Sequence, residues 1–424
     1  MQFKRTILPN GVRVVTVPMK DNPTVTVMIR VSTGSYNEEP HQSGISHFFE
    51  HMCFKGTAKR PTPRILSTEL DSIGAGYNAF TTNEMTGYYA KADTKHFGKI
   101  ADIVADIYMN SIFPEDEIER EKGVVLGEID MYADDPQTKI SDALAAYMYA
   151  GEPAGRHVLG TKETVKAITR ADLLAYRASQ YRGPNTIVTI AGGISEEAML
   201  TWARESLGSI ASEDAKPEIA TREKAQAGPE TFFIDKDTDQ AHIVMSWRTF
   251  NRMSPDRFVA NLIQGLLQAG MSSRLFIRLR EEMGSGYYIS AHNSMHLSYG
   301  RFVAATGTTA ERAPEIIAAI IQEMDRLKTE LVSVEELAKI REIIRAYTLM
   351  SLETSDNVAD FFADQEILAD KIRLPEEFDV IFSKITSEDI KRVANVLFDN
   401  KKLTVAVIGK GIDKEAVSKV SSVV

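Results

Sequence analysis

A single cysteine, Cys53, occurs in 424 residues, so no disulfide can form within the chain and a reducing compartment is implied. No apolar run reaches membrane-spanning length, and the opening residues Met1–Arg5 lack the apolar stretch of a secretory signal. The expected location is the cytoplasm, or the mitochondrial matrix or periplasm if a targeting peptide has been removed. Positive charge is also scarce: 49 lysines and arginines stand against 59 acids, a net charge of -10. That balance argues against a nucleic-acid partner and favours basic partners or substrates. Gly-rich phosphate loops are absent, and the two tryptophans, Trp202 and Trp247, read as packing residues. What remains is the composition of a globular protein, at a length that predicts two domains of about 200 residues.

Against this plain background stands Gly44-Ile45-Ser46-His47-Phe48-Phe49-Glu50-His51-Met52. Residues three and four apart share a helix face, so His47, Glu50 and His51 point one way and Phe48 and Phe49 elsewhere. Two imidazoles one turn apart suit zinc, and a carboxylate between them can take a proton from water that the metal acidifies. The order H-x-x-E-H is that of the inverted zincins.

Strands are predicted at Val12–Val17 and Thr24–Val31, ahead of the histidine helix. A helix at Arg64–Ile73 and strands at 77–82 and 86–92 follow it, with Tyr88 and Tyr89 placing one ring on each sheet face. Helical patterns resume at Lys95–Asn110 and again behind Pro114-Glu115-Asp116-Glu117, where acids suit the positive end of a helix. Along that second helix Ile118, Glu121, Val125, Glu128 and Tyr132 form one stripe. An alternative buries the opposite face, through Leu126 and Ile129. A carboxylate in an apolar seam needs a partner or a metal, and two histidines need a third ligand, so the stripe is read as facing a metal.

Ile168-Thr169-Arg170-Ala171-Asp172 recurs as Ile385-Thr386-Ser387-Glu388-Asp389, and Thr189-Ile190-Ala191-Gly192 as Ala406-Val407-Ile408-Gly409, both 217 positions on. A duplicated domain is implied, since solenoid repeats are far shorter. The same offset sets Gln264, Leu267 and Gln268 opposite His47, Glu50 and His51, and Arg345 opposite Glu128, so metal chemistry is expected in the first half alone. The fold expected is α+β, two similar domains, each a mainly antiparallel sheet packed with helices. The boundaries expected are 1–208 for the zinc-binding domain, 209–229 for a linker and 230–424 for the second domain.

The stretch Gly44–Thr57 resembles the signature of the pitrilysin and mitochondrial processing peptidase family, closest to short bacterial members and the catalytic β subunit of the mitochondrial enzyme. The likeness continues through Asn78–Thr81, Tyr88–Lys91, Glu119–Glu128, Asp237–Ala241 and Gly270–Phe276. By that resemblance His47, His51 and Glu128 would hold one zinc ion per chain, Glu50 would be the catalytic base, and Glu121 would support the site. Asn78, Ala79 and Phe80 match the edge that pairs with substrate backbone, and Arg280 and Tyr287 match a pair that contacts substrate and its reacting carbonyl. Ser285, where leucine is usual, and Leu267–Gly270, poorer in glycine than usual, depart from the pattern and bear on substrate choice. Cys53 falls on another face and is read as packing.

The resemblance implies a zinc metalloendopeptidase that takes peptides or unfolded segments in extended form within an inter-domain chamber. Because the chain carries both the zinc residues and Arg280 with Tyr287, a homodimer is expected. The alternatives are the catalytic subunit of a heterodimer with a zinc-less partner, or a non-catalytic structural subunit of the same fold.

Overall fold

The computed structural model describes residues 1–369 and 371–422. Its first sheet contains β1 (Lys4–Ile7), β2 (Arg13–Pro18), β3 (Thr24–Val31), β4 (Gly76–Thr81), β5 (Thr86–Asp93) and β6 (Thr186–Gly192). Their order is β1-β2-β6-β3-β5-β4, antiparallel throughout except where β2 meets β6. The second sheet contains β7 (Glu230–Asp235), β8 (Ala241–Thr249), β9 (Ile289–Met295), β10 (Gly300–Thr308) and β11 (Leu403–Gly409). It runs β7-β11-β8-β10-β9, again with one parallel pair, β7 and β11. From β2 onward the first sheet therefore has the second's topology, as a duplication requires.

Strand alternation divides each sheet into two faces. On β3, Val25, Val27, Ile29 and Val31 enter the main core with Phe48, Phe49, Ile103 and Tyr108. Thr26 and Arg30 turn the other way, towards the helix Ser355–Leu368: Thr26 Oγ1 lies 2.9 Å from Ser355 Oγ, and Arg30 pairs with Asp360 and Asp364. On β8, Ile243, Met245 and Trp247 enter the second core. Arg248 faces away and donates to the Met148 carbonyl at 2.6 Å, at the end of the helix Pro136–Met148.

These two covering helices explain a departure from the expected boundaries. The first unit comprises Met1–Met131, Arg156–Ala220 and Met350–Ile372; the second comprises Tyr132–Gly155, Thr221–Leu349 and Arg373–Val424. A division at 208 and 230 cuts the chain by sequence, whereas packing exchanges one helix each way. The central strands β6 and β11 are buried along their whole length, so each sheet needs cover on its second face. The segment 209–229 has no helix or strand but is tied down, with Gly183 donating to the Ala211 carbonyl and Ile219 to that of Tyr36.

The repeated Thr-x-x-Asp segments are helix caps. Thr169 and Asp172 close one capping box, Thr386 and Asp389 the other.

Candidate active site

The histidine helix spans Ile45–Cys53. Ile45, Phe48, Phe49, Met52 and Cys53 are buried in the first core, which leaves His47, Glu50 and His51 on the remaining face. Gly44 opens the helix at φ 92°, and a Cβ there would meet the Leu159 carbonyl oxygen at 2.4 Å; only glycine fits. No side chain caps this helix in the usual way. Instead the buried carboxylate of Glu38 accepts from the Gly44 and Ser46 amides, each at 2.8 Å. Burial is the main influence on Glu38 and pushes its pKa up to about 7, against the opposing pull of those hydrogen bonds.

The helix Glu115–Asp134 supplies the acids. Ile118, Glu121 and Val125 are its buried residues, so the striped face is the one packed inward, while Tyr132 is exposed. Its two seam glutamates are placed differently. Glu121, 4% exposed, has both oxygens engaged: Oε1 lies 2.7 Å from His51 Nδ1 and Oε2 2.6 Å from Lys55 Nζ. Glu128, 31% exposed, brings Oε2 to 3.7 Å from His47 Nε2 and 3.8 Å from His51 Nε2. The two imidazole Nε2 atoms are 3.2 Å apart.

This triangle tests whether a metal fits. A point equidistant from the three atoms lies about 2.1 Å from each, the length of a zinc–nitrogen or zinc–oxygen bond. Glu128 Oε2 is buried with no hydrogen-bond partner, as expected of an atom meant for an ion. Among the described residues these three form the one grouping of such donors within 4.8 Å of one another. The donor set, two imidazoles and one carboxylate, suits zinc and leaves a coordination position open.

Electrostatics agree. Burial, with the neighbouring His51, lowers the His47 pKa to about 3, so its imidazole is neutral. Burial also acts to lower His51, but the Glu121 hydrogen bond and the charges of Glu128 and Glu50 outweigh it, and the net shift is upward. The carboxylates that raise the pKa of His51 would equally attract a divalent cation. With Nδ1–H given to Glu121, the His51 Nε2 lone pair is the one turned to the triangle. Glu121 itself is held below the usual range: burial opposes this, but the bonds from His51 and Lys55 prevail.

Glu50 stands apart from the triangle. Its Oε2 accepts from the Thr81 hydroxyl at 2.6 Å, and its pKa is raised, chiefly by burial and against the Thr81 bond. Thr81 ends β4, the edge strand of the first sheet. Register on β5, with the Thr82 amide donating to Met85, turns the N–H groups of Tyr77, Ala79 and Thr81 to the free edge. Of the three residues expected at this edge, Ala79 presents its backbone. Asn78 is exposed and lends its Oδ1 to the Ala79 amide at 2.9 Å, while Phe80 lies beneath the Arg30 guanidinium, 5.0 Å from its ring centre.

Arg280 and Tyr287 belong to the second unit. Arg280 sits in a π-helical turn, Phe276–Glu282, and its Nη1 donates to the Gly286 carbonyl at 3.3 Å. The next residue, Tyr287, donates its amide to Gly307 at 3.1 Å and leaves its side chain 63% exposed. Ser285, the unusual residue, bonds Thr308 across 2.8 Å between hydroxyls. Cys53 is fully buried against the Tyr88 hydroxyl, its thiol pushed up to about 12 by burial, and takes no part in the donor group.

Spacing did not point to Glu38, Lys55 or Thr81. The one available signal was an acid six residues ahead of a glycine-opened helix that lacks a Ser, Thr, Asp or Asn cap.

Comparison with known proteins identifies the family. The model described as Insulinase (Peptidase family M16) matches residues 13–162, and that described as Peptidase M16 inactive domain matches 167–344. An uncharacterized zinc protease of Bacillus subtilis, YmxG, is 30% identical over 93% of this chain and 96% of its own. The chain belongs to peptidase family M16. Another relative, an uncharacterized zinc protease of Rickettsia bellii, is also 30% identical, over 96% of this chain and 97% of its own. The family fold is seen in a Helicobacter pylori protease of known structure, with TM-score 0.89 and 22% identity over 96% of this chain and 99% of that one. A Pseudomonas fluorescens structure described as a peptidase M16 inactive domain gives TM-score 0.89 at 17% identity, over 97% and 99% of the two chains. Among the described residues, no helix of this family member is long and apolar enough to cross a membrane.

Proposed function

We propose that this M16 chain is a zinc-dependent endopeptidase acting on peptides or unfolded segments bound in extended form. One observation carries the reading: donor atoms of His47, His51 and Glu128 converge to 3.2, 3.7 and 3.8 Å from one another, a triangle the size of a zinc ion's ligand set, while Glu50, on the same helix as the histidines, stays outside it. His47, His51 and Glu128 would hold one zinc per chain, with Glu121 fixing the tautomer and tilt of His51. Zinc, when bound, supplies Lewis acidity that lowers the pKa of water and polarises a carbonyl.

Glu50 is assigned as general base. Its Oε2 is engaged by Thr81, so Oε1 takes the proton from the attacking water and returns it to the leaving amine nitrogen. Burial raises its pKa towards the working range, which suits a group that must both accept and release a proton. The outward N–H groups of Tyr77, Ala79 and Thr81 would pair with the substrate backbone as an added strand, the Ala79 amide exchanging its local bond to Asn78 Oδ1 for one to substrate, with Asn78 and Phe80 lining that edge. Arg280 holds the Gly286 carbonyl and thereby sets the loop of Tyr287, whose hydroxyl is assigned to the reacting carbonyl.

The presence of the zinc residues and the Arg280–Tyr287 pair in one chain supports a homodimer over a heterodimer with a zinc-less partner. A buried lone thiol is in keeping with a reducing compartment such as the cytoplasm. The testing experiment is digestion of a peptide library by the purified chain, with and without a chelator, read by mass spectrometry. Zinc-dependent cleavage by the chain alone supports the proposal. Activity only after a second subunit is added supports the heterodimer, and a metal-free chain with no cleavage supports a structural role.

A further inference from the structure

The two sheets have equivalent edges, β4 in the first and β9 in the second, each ending the same strand order. Each edge is preceded by a helix that packs against it: Ile45–Cys53 before β4, Arg257–Gln268 before β9. In the second helix Gln264 and Gln268 repeat the four-residue spacing of His47 and His51. Their contacts differ completely. Gln268 Oε1 accepts the Ala291 amide at 2.9 Å, and Gln264 Oε1 accepts the Asn293 amide at 2.9 Å.

Those two amides are the middle pair among the outward-facing ones, Ile289, Ala291, Asn293 and Met295, that would meet a new strand. The His296 amide donates to Tyr299 at the hairpin end, so the register of β9 on β10 turns Ala291 and Asn293 away from β10, to the free edge. The Asn293 side chain closes the arrangement by donating to the Ala260 carbonyl, on the same helix, at 2.7 Å. At the first edge the outward Ala79 amide meets only its neighbour Asn78, a contact local to the strand. The histidine helix directs its polar side chains to the metal donors and to the Thr81 hydroxyl instead.

We propose that Gln264 and Gln268 are an edge guard: they occupy the two central outward amides of β9, so that of the two equivalent edges only β4 offers an extended peptide a run of amides no helix holds. A peptide strand binds through alternating N–H and C=O groups, and at β9 it would first have to displace two formed hydrogen bonds from a packed helix. Unguarded edges are also where chains pair wrongly with one another. The consequence for specificity is that the second unit offers substrate the Tyr287 side chain, whose loop runs directly into β9, and no backbone partner. This part rests on the reading of β4 as the substrate edge; the guard itself does not.

The test uses full-length Glu50→Gln protein, so that peptide is bound and not cut, with and without the pair Gln264→Ala and Gln268→Ala. Hydrogen exchange at Ala291 and Asn293 reports the guard, and calorimetric titration with an unstructured lysine-containing peptide about twelve residues long reports docking. Exchange at both amides is expected to be slow in the parent and on the order of tenfold or more faster in the double variant. Peptide stoichiometry is expected to rise from one to two per chain. Gln264→Glu with Gln268→Glu keeps an acceptor oxygen at each site and is expected to preserve slow exchange, even if the alanine pair fails to fold. Fast exchange in the parent, or faster exchange in the alanine pair with stoichiometry still one, overturns the proposal. A parent that binds no peptide, with one bound by the double variant, refutes β4 as the substrate edge and leaves the guard standing.

Discussion

His51 gives its Nδ1–H to Glu121 across 2.7 Å, and Glu121 in turn is gripped by Lys55 at 2.6 Å. An imidazole held in this way cannot rotate or change tautomer without breaking a charge-assisted bond. The carboxylate therefore orients the His51 imidazole while remaining outside the donor triangle.

Glu121→Gln is expected to weaken zinc binding about 10–100-fold, the usual effect of losing a partner behind a ligand. Competition with a fluorescent chelator measures it. Unchanged affinity would mean that His51 is oriented by the helix alone.

Thr81→Val removes the hydroxyl that stabilises the charged form of Glu50. The Glu50 pKa should rise further, so the acid limb of the kcat/KM profile moves to higher pH, with little change on the alkaline side. A pH–rate series on one peptide decides the matter; an unmoved limb removes Thr81 from the account.

Glu38 makes stability depend on pH. Its folded pKa of about 7 lies above the ordinary 4.5, so the fold binds this proton more tightly than the unfolded chain does. Its contribution is fully present below pH 4.5 and is lost as pH rises through 7, a change on the order of 3 kcal/mol. Between pH 5 and pH 8, metal-free Glu38→Gln should gain against the parent by most of that amount in urea unfolding. A difference that stays constant with pH would show Glu38 ionised throughout.

The proposed homodimer has a direct consequence if Tyr287 of one subunit serves the zinc site of the other. Glu50→Gln and Tyr287→Phe chains, each impaired alone, should regain up to about a quarter of parental activity when mixed and allowed to exchange, since half the dimers are mixed and each has one intact site. No recovery on mixing places both residues in one subunit's site.

Much of the site was legible because its chemistry is local. Two histidines and a glutamate on one helical face can be counted from spacing, and the stripe of Ile118, Glu121 and Val125 proved to be the buried one. Spacing could not separate Glu121 from Glu128. Both lie on that stripe, and only their distances to the imidazoles assign one to the donor triangle and the other to His51 Nδ1. Glu38 and Thr81 were not legible, since each reaches its partner only once the fold is formed. The exchanged helices were missed for a related reason: an amphipathic pattern says which face of Ser355–Leu368 is covered, but not which sheet covers it. The repeat, by contrast, was marked by caps and strands that fold locally, and it foretold the twin topology.

His47, His51 and Glu128 are together assigned to one zinc ion. Zinc-edge X-ray absorption on the metal-loaded chain, beside Glu128→Gln, tests it most directly. The expected result is one zinc per chain with two imidazole nitrogens and a carboxylate oxygen at about 2.0–2.2 Å, and a lost or altered oxygen shell in the variant. A chain that binds no zinc, or a zinc shell that Glu128→Gln leaves unchanged, would contradict it.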